Sequence, residues 1–199
     1  LFSFIAPYFA SFNIVQVTNM TMTRIHRGVR ITAAVVLFCF FVPPTLAQYK
    51  SQKSDFNSID AVLKTFYSSL GFTEGSGPDW ERFRGLFGYP TGPCVRVAGD
   101  SVMTMDREAF IAFFTGRITR GTLKSFDEKE LSRTGEYYGR IAQVFSTYEK
   151  RMNLAAGSAP VRGINSFSLF FKDDRWWIAS VVWQDESADK PIPEKYLEV

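Results

Sequence analysis

Histidine is almost missing from this chain of 199 residues: His26 is the only one, and none follows it. Without imidazole, the rest of the chain cannot build Ser–His or Cys–His nucleophile pairs or the common histidine-containing zinc sites. Cysteine is nearly as scarce. Cys39 and Cys94 are the only two, and they fall on opposite sides of residue 47, so the downstream part forms no internal disulfide and must be stabilised by its core. Net charge is lacking as well. Residues 1–47 hold Arg24, Arg27 and Arg30 and no acid, so the excess of 23 Lys and Arg over 20 Asp and Glu belongs wholly to that segment. The neutral remainder lacks the basic footprint that a phosphate backbone demands, and nucleic acid is not an expected partner. There are no internal repeats and no low-complexity tract.

What the first segment does contain is a basic stretch, an apolar run over residues 31–42 and the string PPTLA before Gln48. That order is a secretory signal with a small-residue cleavage site. The run falls well short of the roughly 20 residues that cross a bilayer, which favours a cleaved signal over a permanent anchor. Cys39 follows Leu37 and Phe38 instead of a small residue, so it reads as part of the apolar run and not as a lipidated cysteine. Residues 1–19 precede two candidate starts, Met20 and Met22, and are set aside as an upstream extension. The expected organisation is therefore extension plus signal over 1–47, a flexible lead-in over 48–57, one domain over 58–186 and a tail over 187–199. The expected location is the periplasm or the exterior.

Helical spacing of Ile59, Val62, Leu63, Phe66, Tyr67 and Leu70 predicts a helix capped by Asn57 or Ser58 and stopped by Gly71. A short second helix is predicted over 80–87, capped by Asp79. A third follows Thr104 or Asp106, with Phe110, Phe113, Phe114 and Ile118 as its stripe. Between them CVRVAGD reads as a short strand ending at Gly99 and Asp100. The remainder is strand-like: 126–133 and 137–152 joined around Thr134, Gly135 and Glu136, then 164–171 and 176–184 as a hairpin around Asp173 and Asp174. Helices first and strands afterwards predict an α+β domain, with the helices gathered on one face of an antiparallel sheet.

If Phe171 faces Trp176 across that hairpin, strict alternation puts Phe167, Leu169, Ile178, Ser180 and Val182 on one face. Phe170, Trp177, Val181 and Trp183 fall on the other. Neither face is polar enough to lie in water, so a homodimer through the second face is expected. The alternative is that the C-terminal tail covers it.

The strings IDAVLKTFYSSL, DWERFRGLF, MDREAFIAFF and FSLFFKDDRWWIASVVWQDE, taken in this order, resemble the nuclear transport factor 2-like superfamily of cone-shaped folds, which includes ketosteroid isomerase and polyketide-cyclase-like proteins. The likeness spans residues 58–186, and the ending PIPEKYL is similar to that of exported members. It implies a pocket between the helices and the concave sheet, with Tyr67, Trp80, Phe83, Phe114, Tyr148, Trp176 and Ser180 as lining candidates for a small hydrophobic ligand. The same aromatics could instead fill the cone as core.

A steroid-isomerase-like enzyme moves a proton with a carboxylate and stabilises an oxyanion with a tyrosine and a protonated acid. By order along the chain Asp100 corresponds to the base, although it equally suits a turn after Gly99. The position matching the family's tyrosine is Phe66, with Tyr67 one step, about 100 degrees, around the helix. Glu149 and Arg151 either form a charge pair at the pocket mouth or a solvated strand end. Asp173 and Asp174 supply too few oxygens for a calcium site, and Cys94 reads as buried. No cofactor or metal is expected. Two functions stay open: an exported binder or dimeric scaffold without catalysis, and a cofactor-free isomerase or hydratase working through Asp100 and Tyr67.

Overall fold

The computed structural model describes residues 53–153 and 159–198. The expected extension and signal, and the lead-in before Lys53, lie outside the described residues. From Lys53 onward the lead-in is part of the fold. A 3-10 turn, Lys53–Asp55, delivers Phe56 into the core, where its carbonyl accepts from the Trp176 backbone N–H at 2.9 Å. Asp55 also pairs with Arg82 at 3.0 Å. The expected flexibility is therefore corrected for residues 53–57: burial of Phe56 ties them down.

Helix α1 (Ile59–Leu70) starts where the Ser58 hydroxyl accepts from the Ala61 N–H, and it ends before Gly71. It buries Val62, Leu63, Phe66, Tyr67 and Leu70, the stripe that its spacing demands. Helix α2 (Trp80–Leu86) is capped by Asp79, and α3 (Arg107–Thr119) by Asp106. On α3 the buried residues are Phe110, Ile111 and Phe114. Phe113 and Ile118 pack against the core only in part.

Among the described residues six strands form one sheet in the order β2-β1-β6-β5-β4-β3. They are β1 (Cys94–Ala98), β2 (Ser101–Met105), β3 (Phe126–Tyr138), β4 (Ile141–Met152), β5 (Val161–Lys172) and β6 (Arg175–Asp185). All pairs are antiparallel except β1 with β6. β2 had no pattern to announce it, because only Met105 of its five residues is buried. It is an edge strand, returning after Gly99, whose φ is +56.

The long β3–β4 hairpin turns later than expected. Tyr138 pairs with Ile141, and Gly135 sits inside β3 opposite Val144. The turn uses Gly139 at φ +56, because a left-handed residue is needed there and not at 135. The β5–β6 hairpin turns where expected, with Phe171 opposite Trp176. Asp173 and Asp174 take φ of +53 and +58, the paired left-handed conformation that suits the twist of a two-residue hairpin.

Strict alternation along β6 fails at one place. Leu169 pairs with Ile178 but Ser168 pairs with Ser180, so Ala179 is an extra, unpaired residue. A bulge of this kind bends the strand and reverses which positions face the core. Ile178 and Val181 are both buried on the inner face, and the Val181 N–H turns to bond the Pro93 carbonyl at 3.0 Å. The bulge carbonyl approaches Gly92 closely enough that a Cβ there would lie 2.9 Å from it. The two-face reading is corrected accordingly: Val181 and Trp183 lie inside, while Ser180 and Val182 lie outside. A second register shift, between Glu130 and Ser132 in β3, adds to the curvature.

The outer face is covered in part by the chain itself. Tyr89 stacks on Phe170 at 5.7 Å, and Tyr196 of the tail stacks on Phe145 at the same distance. The Tyr196 carbonyl accepts from Thr147 at 2.6 Å and also from Ser132. Ile141, Phe145 and Val182 stay exposed.

Deleting Ala179 joins Ile178 to Ser180 and lets β6 alternate regularly with Val181 and Trp183 still facing inward, so this variant loses only the local bend and is expected to unfold cooperatively with a stability lower by about 1–3 kcal/mol in urea denaturation. Ala179→Gly keeps the extra residue and should cost about 1 kcal/mol or less in urea denaturation.

Candidate functional site

The helices do not fill the concave side of the sheet. A cavity of about 510 Å³ remains between α3, the ends of α1 and α2, and the β1, β6, β5, β4 and β3 strands. Its wall is aromatic and aliphatic and includes Phe66, Phe83, Phe110, Phe114, Phe126 and Trp183. The rings brace one another. Phe83 stacks on Phe110 at 5.1 Å, and Trp183 meets Phe110 edge-on at 5.8 Å. Cys94 also lines the space. Burial pushes its thiol up to about 12, so it is a packed apolar group and not a nucleophile.

One end of the cavity is polar, built from Glu128, Lys150, Asn165, Asp185 and Arg96. On β4 the inward positions are Tyr148, Lys150 and Met152. Glu149 and Arg151 point outward, where they pair with each other at 3.6 Å, which settles them as a strand-surface pair. Asp185 accepts from both the Tyr148 hydroxyl and the Lys150 ammonium. Tyr148 is fully buried, and burial together with Asp185 raises its phenol far above the ordinary range. Its ring lies over Gly163, where a Cβ would come within 2.3 Å of the hydroxyl oxygen. Glycine at 163 is what lets Tyr148 reach Asp185.

A second chain of hydrogen bonds runs behind Glu128. The Asn165 amide donates to Glu128 at 3.2 Å and to the Tyr67 hydroxyl at 3.1 Å. Because the Ser146 hydroxyl donates to Glu130 at 2.6 Å, Tyr67 must be the donor to Ser146, also at 2.6 Å. Tyr67 is thus a buried prop for Asn165. Its phenol is held well above its usual range, first by burial and then by the nearby Glu128. Burial raises the Glu128 carboxyl to about 7, although the Lys150 charge and the Asn165 hydrogen bond both pull it down. A carboxyl at the cavity surface that titrates near neutrality can give or take a proton.

Among the expected lining residues, Phe83 and Phe114 face the cavity. Tyr67 and Tyr148 lie just beneath its polar end. Trp80 stands behind the wall, edge-on to Phe83 at 5.8 Å and to Phe114 at 5.5 Å. Trp176 is on the inner face but at the hairpin end, against Phe171, and Ser180 is turned outward by the bulge. Asp100 is exposed in the β1–β2 turn and is not among the residues that line the cavity, which corrects the expectation of Asp100 as a base: Gly99 needs a turn partner there. Sequence reasoning missed Glu128, Lys150, Asn165 and Asp185. Among the described residues no three His, Cys, Asp or Glu side chains converge to hold a metal ion.

No protein-family model matches the sequence, and no curated protein sequence matches it. Among solved structures the chain is similar to a protein of unknown function with a cystatin-like fold from Nostoc punctiforme. The identity is 11%, the TM-score 0.51, and the match covers 65% of this chain and 90% of that one. It is also similar to a nuclear transport factor 2-like protein of unknown function from Silicibacter pomeroyi, at 18% identity and TM-score 0.45 over 64% of this chain and 92% of that one. A third likeness is to the β subunit of benzoate 1,2-dioxygenase from Burkholderia mallei, at 13% identity and TM-score 0.45 over 59% and 83%. Likeness at these identities is one of fold and not of activity. The class is an α+β cone, helices on a strongly curved sheet. More particularly, the fold is cystatin-like, as in the Nostoc punctiforme protein.

The Glu128 carboxyl has an ordinary value of 4.5 to return to on unfolding and about 7 in the fold. Between those values the folded chain binds the extra proton, so stability falls as pH rises through that window. Glu128→Gln keeps the acceptor for Asn165 and removes the titration. It is expected to match the parent near pH 4 and to exceed it by about 3 kcal/mol above pH 8, as read by urea denaturation across pH. Parallel pH profiles would contradict this.

Proposed function

We propose that the protein binds a small, largely apolar organic molecule in the cone. The observation that carries this reading is the unfilled, aromatic-walled cavity with polar groups gathered at one end, of the size and character of small-molecule sites. A packed core would leave no such space. The leader supports a role outside the cytoplasm, and a second copy docking on the outer face around Phe145, Ile141 and Val182 would cover apolar surface left exposed there. Native mass spectrometry of protein recovered from the exported fraction tests both. A dimer carrying a small-molecule adduct is expected. A bare monomer that takes up no member of a panel of apolar small molecules would overturn the reading.

A second reading, cofactor-free proton transfer, is favoured by the placement of Glu128. Its carboxylate would accept a proton from a carbon acid of the bound molecule and return it at another position, with the Lys150 ammonium near the developing oxyanion. Tyr67 and Tyr148 would act by position only, since both hydroxyls are engaged below the surface. In deuterium oxide the parent should exchange a carbon-bound hydrogen of the molecule recovered with it, and Glu128→Gln should slow this by a factor of about 100 or more. Equal exchange by both proteins would rule Glu128 out as the base.

A further inference from the structure

Three guanidinium groups gather on the cavity: Arg96 from β1, Arg117 from the last turn of α3 and Arg120 from its cap. Their supply of counter-charge is poor. Asp185 is 4.0 Å from Arg96, and it already accepts from Lys150 and Tyr148. Among the described residues Arg117 and Arg120 make no ion pair, and the partner found by the Arg117 guanidinium is the Met152 sulfur at 3.9 Å. Burial, and then the like charges of Arg96 and Arg120, depress the Arg117 value below that of a free guanidinium.

The ordinary explanation for basic residues at a helix C-terminus is the helix dipole. That dipole offers about half a negative charge, against three guanidiniums. Glu128 offsets less of the remainder than an ordinary carboxylate would, because burial raises its carboxyl to about 7. The cavity therefore carries a surplus of positive charge beside an apolar wall, with Arg120 exposed and Arg96 and Arg117 half-buried, and a cleft lined by one sign of charge draws in the opposite sign.

Resting on the reading of the cone as a binding site, we propose that its ligand is an amphipathic anion: an apolar body seated against Phe83, Phe110 and Trp183, with one anionic group held by Arg96, Arg117 and Arg120. Guanidinium forks suit oxyanions such as carboxylate and sulfonate, which they can bind through two hydrogen bonds at once. A neutral ligand of the same shape would leave the three charges uncompensated.

Two fluorescent probes with a common body separate the possibilities. 8-Anilinonaphthalene-1-sulfonate carries an anionic group, and N-phenyl-1-naphthylamine is the same ring system without it. The sulfonate is expected to bind the full-length protein at least about tenfold more tightly than the neutral probe, with an affinity that falls as salt rises. The double variant Arg117→Met, Arg120→Gln should lose that advantage while holding the neutral probe within about twofold of the parent, which also shows that the variant is folded. Should the variant fail to fold, the salt dependence and the probe ratio of the parent decide. Equal affinity of the parent for both probes, or a sulfonate affinity that ignores salt and both substitutions, would overturn the anionic ligand and leave the cone as a site for neutral molecules. Failure of both probes to bind would overturn the cone as a binding site altogether.

Discussion

The extra residue at Ala179 is the feature on which the rest of the site depends. In an unbroken strand, inner positions recur every second residue, and Asp185 would then stay on the face opposite Ile178. The bulge shifts the count by one, so Val181, Trp183 and Asp185 all turn inward. Val181 and Trp183 then complete the aromatic wall, and Asp185 meets Lys150 and Tyr148 coming across from β4. One unpaired residue thus converts a flat, two-faced hairpin into the concave floor of a cone with a polar end.

That polar end is assembled from groups that are costly to bury alone. Asp185 has an ammonium and a phenol to stabilise its charge. Glu128 has one amide hydrogen bond and a more distant ammonium, which do not offset its loss of water. The raised value of the Glu128 carboxyl therefore comes from its burial and its partners rather than from its residue type. Tyr67, Ser146 and Asn165 are the scaffold that keeps Glu128 in place. Every donor in that line has an acceptor, so the chain of hydrogen bonds can be rigid without leaving a polar atom unsatisfied.

The helices were legible because their information is local. Ser58, Asp79 and Asp106 each cap within three residues of themselves, and the apolar stripes of α1 and α3 need only the period of the helix. The β5–β6 turn was legible for a similar reason: two aspartates between aromatic runs can adopt left-handed backbone. β2 was hidden because an exposed edge strand has no face to bury, and the β3–β4 turn was misplaced because Gly135 looks as flexible in sequence as Gly139. In the site, Phe83 and Phe114 were visible as members of helical stripes. Glu128, Lys150 and Asp185 were not, since a charged residue in a strand ordinarily marks the solvated face, and nothing in the string says which strand ends curl over a cavity.

Composition and local periodicity alone determined that the domain has no histidine chemistry and no internal disulfide, that it is α+β with helices ahead of strands, and that its core is aromatic. Those properties follow from residue counts and from contacts between neighbours in the chain. The open cone, the inward turn of Asp185, the near-neutral titration of Glu128 and the gathering of Arg96 with Arg117 and Arg120 were decided only by the tertiary structure. Each depends on distances between residues far apart in sequence and on water being excluded around them, and a linear pattern encodes neither.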